Sequence, residues 1–407
     1  VNLKVEKAAE DSLLSDIVRL MEQAGQSQAA FVQIADRAAR YYTPVVHSLA
    51  LLSFLGWVFI GGIDWQDALL IAVTVLIITC PCALGLAVPV TQVLATGRLM
   101  KNGILVKSGD ALERLSKITL ALFDKTGTLT LGKPALDGTY PEKILQKAAS
   151  LAVHSRHPLS QGLAEAYKGK ILEIENIEEV AGKGLQGKLN GQTLKLGSQS
   201  WCGVKADKDR AHELRLYFQE GNNPPVAFTL KDALRPDTLA TIKAFQDDSI
   251  QTILLSGDRE PVAGDIASQC GIQTFYAEQT PTQKFDILKR YKESGEKVLM
   301  VGDGLNDAPV LAGADISIAP GTAIDMAQNA ADIIFMGQNL APVKFAHDIA
   351  KFSQKLVVQN FALAIIYNIF VIPLAVAGMV TPMIAALAMS GSSLIVIANS
   401  FRIKLKT

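Results

Sequence analysis

Charge is absent from three long tracts of this chain. Residues 41–63, 68–97 and 356–401 contain no Asp, Glu, Lys or Arg. An uncharged apolar run of about 18 residues or more is long enough to cross a bilayer as a helix. The first tract predicts one span, around VVHSLALLSFLGWVFIGGI, and the second another, around ALLIAVTVLIITCPCALGLAV. The third breaks near Gly378–Pro382 and predicts two, near 357–377 and 383–401. Buried helices of a large soluble core compete with this reading, but they rarely run so far without charge.

Four spans place both ends of the chain on one side. The short loops Gly62–Asp67 and Gly378–Pro382 carry no Lys or Arg, whereas Arg37, Arg40, Arg98, Lys101, Arg402, Lys404 and Lys406 flank the opposite ends. Positive charge favours the cytoplasmic side, so the termini and the long central insert are expected there. The insert, about 98–350, alternates strand-like and helix-like runs. ITLALFD, QTILLSGD and KVLMVGDG are short β-rich runs that reach a polar or Gly-containing turn. Such alternation predicts a doubly wound parallel sheet with helices on both faces. Ligands of such sheets sit at the carboxyl ends of the strands. Each run places an aspartate there: Asp124, Asp258 and Asp303.

Composition narrows the class. Lys+Arg and Asp+Glu are 39 each, and this balance argues against a nucleic-acid binder. Apolar residues reach 49% and charged residues only 19%, so disorder is excluded. The four cysteines, Cys80, Cys82, Cys202 and Cys270, have no disulfide-framework spacing, and a cytoplasmic insert is a reducing setting. Residues 1–40 are polar and helical in pattern, with no signal peptide, and a first residue other than Met suggests a fragment.

Asp124-Lys125-Thr126-Gly127-Thr128-Leu129-Thr130 carries the sharpest chemistry. An aspartate at a strand end can act as a covalent nucleophile toward phosphate, and the N–H groups of the turn behind it can cradle the anion. The motif resembles the phosphorylation sequence of the P-type ATPases, whose catalytic domain has the haloacid-dehalogenase fold. Thr280-Pro281-Thr282-Gln283-Lys284 resembles the family's TPxxK element. Ser256-Gly257-Asp258 resembles (T/S)GD, Asp232 with Arg235-Pro236 resembles DxxRP, and Gly302–Pro309 resembles GDGxNDAP. The resemblance covers nearly the whole chain in the family's order.

That resemblance implies roles. Asp124 would attack the γ-phosphate of ATP and form an aspartyl phosphate. Asp124, Asp303 and the Thr126 carbonyl would hold Mg²⁺, a cation that prefers hard oxygen ligands. Lys284, Ser256 and Gly257 would neutralise the transferring phosphoryl group, with Asp258 beside them and Asn306 and Asp307 behind them. Asp232 and Asp307 could instead merely cap helices. Residues 132–228 would form an inserted α+β nucleotide-binding domain between the two parts of the phosphorylation domain, 98–131 and 229–350. Ser155-Arg156-His157-Pro158-Leu159 resembles the SEHPL element of heavy-metal pumps, which assigns His157 to adenine. Gly182, Gly184, Gly197 and Ser198 match their glycine elements, and Asp232 is counted with this nucleotide set. Arg156 departs from the usual acid, and Ala152 stands where many relatives carry Glu.

Cys80-Pro81-Cys82 lies mid-span, where polar or reactive residues are costly and by default functional. Pro81 breaks the helix ladder, and soft thiolates select Cu(I) over Mg²⁺ or Ca²⁺. Two small buried cysteines beside a kink would be the plain alternative. The resemblance to the CPC element favours an ion site, completed by Tyr367-Asn368 and by Met389 and Ser393, an i, i+4 pair on one helix face. These match the YN and MxxSS elements of copper-transporting ATPases. Met389 alone would read as packing.

The whole then reads as an ATP-driven Cu(I) exporter of a bacterial inner membrane, with Ag(I) as a second candidate cargo and a cytosolic copper chaperone as the expected donor. SRHPL and the C-terminal ending resemble the branch linked to copper supply for cytochrome oxidase. Residues 41–97 and 351–407 would be the membrane pairs, and 1–40 the end of the actuator domain with its stalk helix. The actuator's TGE loop is absent, so the chain resembles the C-terminal half of a pump. Zinc or cadmium pumps would carry an intramembrane Lys and Asp, which these tracts lack. A membrane-tethered phosphatase would place Asp two residues after its nucleophile, where Thr126 stands. A copper buffer would need neither DKTGTLT nor GDGLNDAP.

Overall fold

A computed structural model of the chain describes residues 30–180, 182–204, 214–303, 307–323 and 325–405. The uncharged tracts are helical. Helix α1 covers Ala30–Phe59, α2 Trp65–Ile78 and α3 Cys82–Lys101. The ladder between α2 and α3 is interrupted at Thr79–Pro81, because proline has no N–H to donate. Beyond the insert, α12 (Ala341–Val376) and α13 (Pro382–Ser400) form an antiparallel pair, joined at Gly378 with φ +71°, and a 3₁₀ turn Phe401–Leu405 ends the described chain. Three helical stretches, Trp65–Lys101, Ala341–Val376 and Pro382–Leu405, are long and apolar enough to cross a membrane. The apolar part of α1, Pro44–Phe59, is shorter.

The insert holds two sheets. The first has seven strands: β1 (Ile104–Val106), β2 (Leu120–Asp124), β9 (Gln251–Leu255), β10 (Thr274–Tyr276), β11 (Val298–Val301), β12 (Ile316–Pro320) and β13 (Ile333–Phe335). Their order is β1-β13-β12-β11-β2-β9-β10. All pairs are parallel except the edge pair β1–β13, so the expected parallel sheet carries one antiparallel edge strand. Its central strands β2, β11 and β12 are buried throughout, as a sheet covered on both faces requires. The helices α4 (Ala111–Ser116), α7 (Thr238–Asp247), α8 (Glu260–Cys270), α9 (Pro281–Glu293), α10 (Ala308–Gly313) and α11 (Asp325–Ala330) alternate with these strands.

The second sheet is antiparallel, in the order β3-β8-β7-β6-β5-β4. Strands β3 (Thr130–Asp137) and β8 (Val226–Leu234) leave and re-enter the first sheet's domain side by side. Between them lie α5 (Glu142–Ala152), α6 (Pro158–Ala166), β4 (Glu175–Val180), β5 (Gly184–Leu189), β6 (Gln192–Gly197) and β7 (Leu214–Glu220).

One hydrophobic core joins the seven-stranded sheet to the membrane helices. Phe123, Phe245 and Leu299 from the sheet side and Leu99, Ile349, Leu356 and Ile403 from the helix ends belong to one buried cluster.

Candidate active site and membrane cavity

Two of the three strand-end aspartates, Asp124 and Asp303, meet because their strands are neighbours, and Asp307 joins them, while Asp258 pairs with Lys125 instead. β2 lies between β11 and β9, with Phe123 opposite Val301 and Asp124 opposite Leu255. Asp124, Asp303 and Asp307 each offer a carboxylate oxygen within 4.8 Å of the others. Into this acidic cluster α9 projects Lys284, whose Nζ donates to Asp124 Oδ1 at 2.5 Å and Asp307 Oδ1 at 2.7 Å. The helix starts at the right place because Thr280 and Gln283 form a reciprocal capping box, with Pro281 in the first turn.

Burial, then the Asp307 charge, raises the Asp124 carboxyl to about 7 against the pull of Lys284. The same two causes, in the same order, raise Asp303 to about 6. Burial opposes the Lys284 charge, but Asp124 and Asp307 outweigh it and hold its pKa above the ordinary lysine value. Such a site is short of positive charge and suits a divalent cation with hard oxygen ligands.

The turn after Asp124 is shaped by backbone needs. Gly127 has φ +69°, and a Cβ there would lie 1.5 Å from Asp303 Oδ2. Only glycine fits. Arg235 fixes the turn from outside: its Nε donates to the Thr128 carbonyl at 2.7 Å and an Nη to the Gly127 carbonyl at 2.5 Å. Ser256 follows β9; its Oγ donates to Asp258 Oδ2 at 3.0 Å and accepts from the Asp258 N–H at 3.1 Å. Lys125 forms an ion pair with Asp258. Thr126 is exposed, and its backbone is extended at φ −74°, ψ 129°. Asn306 lies outside the described residues.

A second site lies in the antiparallel domain. A cavity of about 550 Å³ is lined by His157, Gly182, Gly184, Gly197, Ser198 and Glu179, among others. Gly184 and Gly197 face each other so closely that a Cβ on either would meet the other strand's backbone carbonyl at 2.2 Å. His157 caps α6 by accepting from the Leu159 N–H, and Pro158 follows at the first helical position. One sequence expectation is corrected here. Asp232 is not in this cavity: β8 has returned to the turn after Asp124, where Asp232 Oδ2 accepts from Thr130 Oγ1 at 2.6 Å. Ala152 is buried in the domain's core, and the carboxylate at the cavity is Glu179, which accepts from Ser155 Oγ at 2.7 Å.

In the membrane part, Cys80, Tyr367, Asn368 and Ser392 line one small cavity between three helical stretches. Asn368 Oδ1 is buried without a hydrogen-bond partner among the described residues. Met389 and Ser393 do not line it; Ser392 and Ser393 hydroxyls both donate to the Met389 carbonyl, at 2.7 and 3.3 Å. The expectation of two free thiols is also corrected. Cys80 and Cys82 are joined as a disulfide, with their Cα atoms 5.4 Å apart on either side of Pro81. Only the reduced pair can offer two sulfur ligands.

Residues 118–315 match the model of haloacid dehalogenase-like hydrolases. The nitrogen fixation protein FixI of Rhizobium meliloti is 45% identical over 99% of this chain and 53% of its own length. A copper-exporting P-type ATPase of Staphylococcus saprophyticus is 34% identical over 99% of this chain and 53% of its own. The crystal structure of a zinc-transporting PIB-type ATPase in its E2·Pi state superposes with a TM-score of 0.82 at 28% identity, covering 98% of this chain and 69% of that one. The chain belongs to the heavy-metal P-type ATPases. It spans about half the length of the curated relatives it matches.

P-type ATPases use ATP and Mg²⁺, and the residues here fit both. The close-facing glycines leave room for a nucleotide against the backbone, and the three-carboxylate cluster supplies hard oxygens. One contact was hidden from the sequence. Asp237, at the start of α7, does not cap its own helix; its carboxylate accepts from the Leu340 and Ala341 N–H groups at 2.8 and 2.6 Å. It thereby caps α12, which has no side-chain cap of its own. The aspartate one residue after a proline was the available signal, but its partner is about a hundred residues away.

Proposed function

We propose that the full-length parent exports Cu(I) from the cytoplasm, driven by ATP through an aspartyl phosphate on Asp124. The observation that carries this reading is the buried Lys284 ammonium shared by Asp124 and Asp307 at the carboxyl edge of the sheet. Asp124 Oδ attacks the γ-phosphorus in line, ADP leaves, and Lys284 balances charge on the transferring oxygens. Mg²⁺ held by Asp124, Asp303 and the Thr126 carbonyl would supply further charge neutralisation. Ser256 and Gly257 stand at the end of the neighbouring strand, placed to donate to the phosphoryl oxygens. His157, with the facing glycines, would hold the adenosine part. In this reading 98–131 and 229–350 form the phosphorylation domain and 132–228 the nucleotide-binding domain.

Selectivity for a monovalent soft ion is supported by the uncharged spans and by a Cys80 sulfur beside the buried Asn368 oxygen. Thiolate sulfur suits Cu(I), and Cys80 and Cys82 would bind it reduced. Tyr367 already lines the cavity, whereas Met389 and Ser393 lie off it and would join only after some rotation of α13. A zinc or cadmium pump would need a fixed intramembrane charge that these helices lack. The deciding experiment is metal-stimulated ATP hydrolysis by the full-length protein with Cu(I), Ag(I), Zn(II) and Cd(II). Stimulation by Cu(I) and Ag(I) alone is expected. Stimulation by Zn(II) or Cd(II) alone would overturn the assignment of the ion.

A further inference from the structure

Beyond the catalytic and ion sites, the cytoplasmic end of α3 carries a cavity that neither site uses. It measures about 440 Å³ and is lined by Val93, Gly97, Arg98, Lys101, Asn102 and Lys404, with Leu94 behind. The lining contains cations and no acid. Arg98 is committed: its guanidinium donates to the Ile403 carbonyl at 2.5 Å. That bond, with the buried Ile403 side chain, pins the terminal 3₁₀ turn against α3 and brings Lys404 to the rim that carries Lys101. Neither lysine has a carboxylate partner among the described residues, although Lys404 also lies over the Phe401 ring at 4.7 Å. Asn102 donates back to the Arg98 carbonyl.

The lower half of the cavity is apolar. Val93 is 70% exposed, and Gly97, one turn above it, presents no side chain, with nothing within 4 Å of the place a Cβ would take. This leaves a notch along the helix between Val93 and Lys101. Arg98 and Arg402 are the first charges beyond the uncharged tracts 68–97 and 356–401. The cavity therefore straddles the level at which hydrocarbon gives way to headgroups. Leu405, 80% exposed, and Phe401 flank it with further apolar surface.

A ligand for this cavity must combine an anion at the rim with an apolar chain below it. We propose that it is the site of an anionic phospholipid of the cytoplasmic leaflet. The phosphate would sit between Lys101 and Lys404, and an acyl chain would lie in the notch over Gly97 and Val93. Basic pockets between helix ends on this side of a membrane attract such headgroups, and the leaflet's own negative potential adds to the attraction. Bound there, the lipid ties the last turn of the cysteine-bearing helix α3 to the turn that follows α13. The inference rests on the membrane placement of these helices and not on which ion is carried.

The test uses the full-length parent, solubilised with phosphatidylglycerol or phosphatidylcholine and analysed by native mass spectrometry for retained lipid. Phosphatidylglycerol should be retained and phosphatidylcholine released. Lys101→Glu with Lys404→Glu should reduce retention at least tenfold, whereas Lys168→Glu with Lys170→Glu, an equal charge change in the exposed insert, should not. Lys101→Gln with Lys404→Gln keeps the test readable if charge reversal prevents folding; it too should reduce retention, and Lys→Arg at both positions should restore it. Millimolar inorganic phosphate should leave retention unchanged. Displacement by phosphate would show a small-anion site and overturn the lipid. Retention that survives both double substitutions would show that another segment of the parent covers this face, and would also overturn it. Lipid retention is read without ATP or metal, so its failure is separate from any failure of the transport reading.

Discussion

Lys284 stands 2.5 Å from Asp124 and 2.7 Å from Asp307, and both contacts are buried. One ammonium thus serves two of three clustered carboxylates, and a third, Asp303, lies within 4.8 Å of both acids. In the proposed reaction a negative phosphate would enter beside these negative carboxylates. Lys284 is the resident protein cation that lowers the repulsion.

Lys284→Ala should therefore reduce phosphoenzyme formation by roughly 10²- to 10³-fold, the range for loss of one preorganised transition-state donor. Lys284→Arg should recover part of it. Asp124→Asn should remove labelling altogether, because an amide is not a nucleophile toward phosphorus. Acid-stable, hydroxylamine-sensitive labelling of the full-length protein from γ-labelled ATP measures both. Normal labelling of the Asn variant would place the nucleophile elsewhere.

His157 lines the antiparallel domain's cavity, away from the Asp124 cluster. His157→Gln should weaken ATP binding about tenfold, a loss of roughly 1.4 kcal/mol. Phosphorylation by inorganic phosphate should persist in the full-length protein. A parallel fall in both would give His157 a part in the chemistry itself.

Asp237 joins the start of α7 to α12 by capping the first turn of α12. Asp237→Ala leaves two N–H groups uncapped at a cost of about 1–2 kcal/mol. Labelling by ATP should continue, but its dependence on transported metal should weaken. Unaltered metal dependence would show that α12 is coupled to the sheet domain through other contacts.

Cys80→Ser or Cys82→Ser should abolish high-affinity Cu(I) binding in the membrane part under reducing conditions. Met389→Ala should weaken it less, since one neutral ligand is lost and not a thiolate. An unchanged Cu(I) affinity in the double cysteine variant, titrated against a chromophoric chelator, would remove the ion from this cavity.

His347 sits near the start of α12, outside the uncharged tract, against Phe245, with Asp248 and Asp348 near its Nδ1 and Lys344 and Lys351 close by. Burial first, then the two lysines, lower its pKa to about 4. In the unfolded chain it titrates near ~6.5. Between these values only the unfolded state takes up the proton, so stability is full above about 6.5 and is lost as pH falls toward 4. The loss amounts to roughly 3 kcal/mol at most. His347→Phe should flatten this part of the profile, read as the shift in thermal midpoint between pH 7 and pH 5. An identical shift in the variant would assign the acid sensitivity to other groups.

Local pattern was enough for the outline of this protein. The uncharged tracts announced the membrane helices because a bilayer tolerates no unpaired charge along a span. Three strand-like runs ending in aspartate announced the catalytic edge because parallel sheets collect ligands there. The glycines at 127, 184 and 197 were legible as turn or close-approach positions because only glycine fits them. Tertiary structure alone decided how these pieces met. It brought Lys284 across 160 residues to Asp124, turned Arg235 onto the turn after Asp124 and Asp237 onto α12, and placed Asp232 beside Thr130, away from the nucleotide set. It also put Glu179 rather than position 152 at the cavity, and a lysine from each of two helix ends on one rim. Sequence patterns record what each segment must bury or expose. Which side chain compensates a distant charge or N–H group is fixed only when the segments pack.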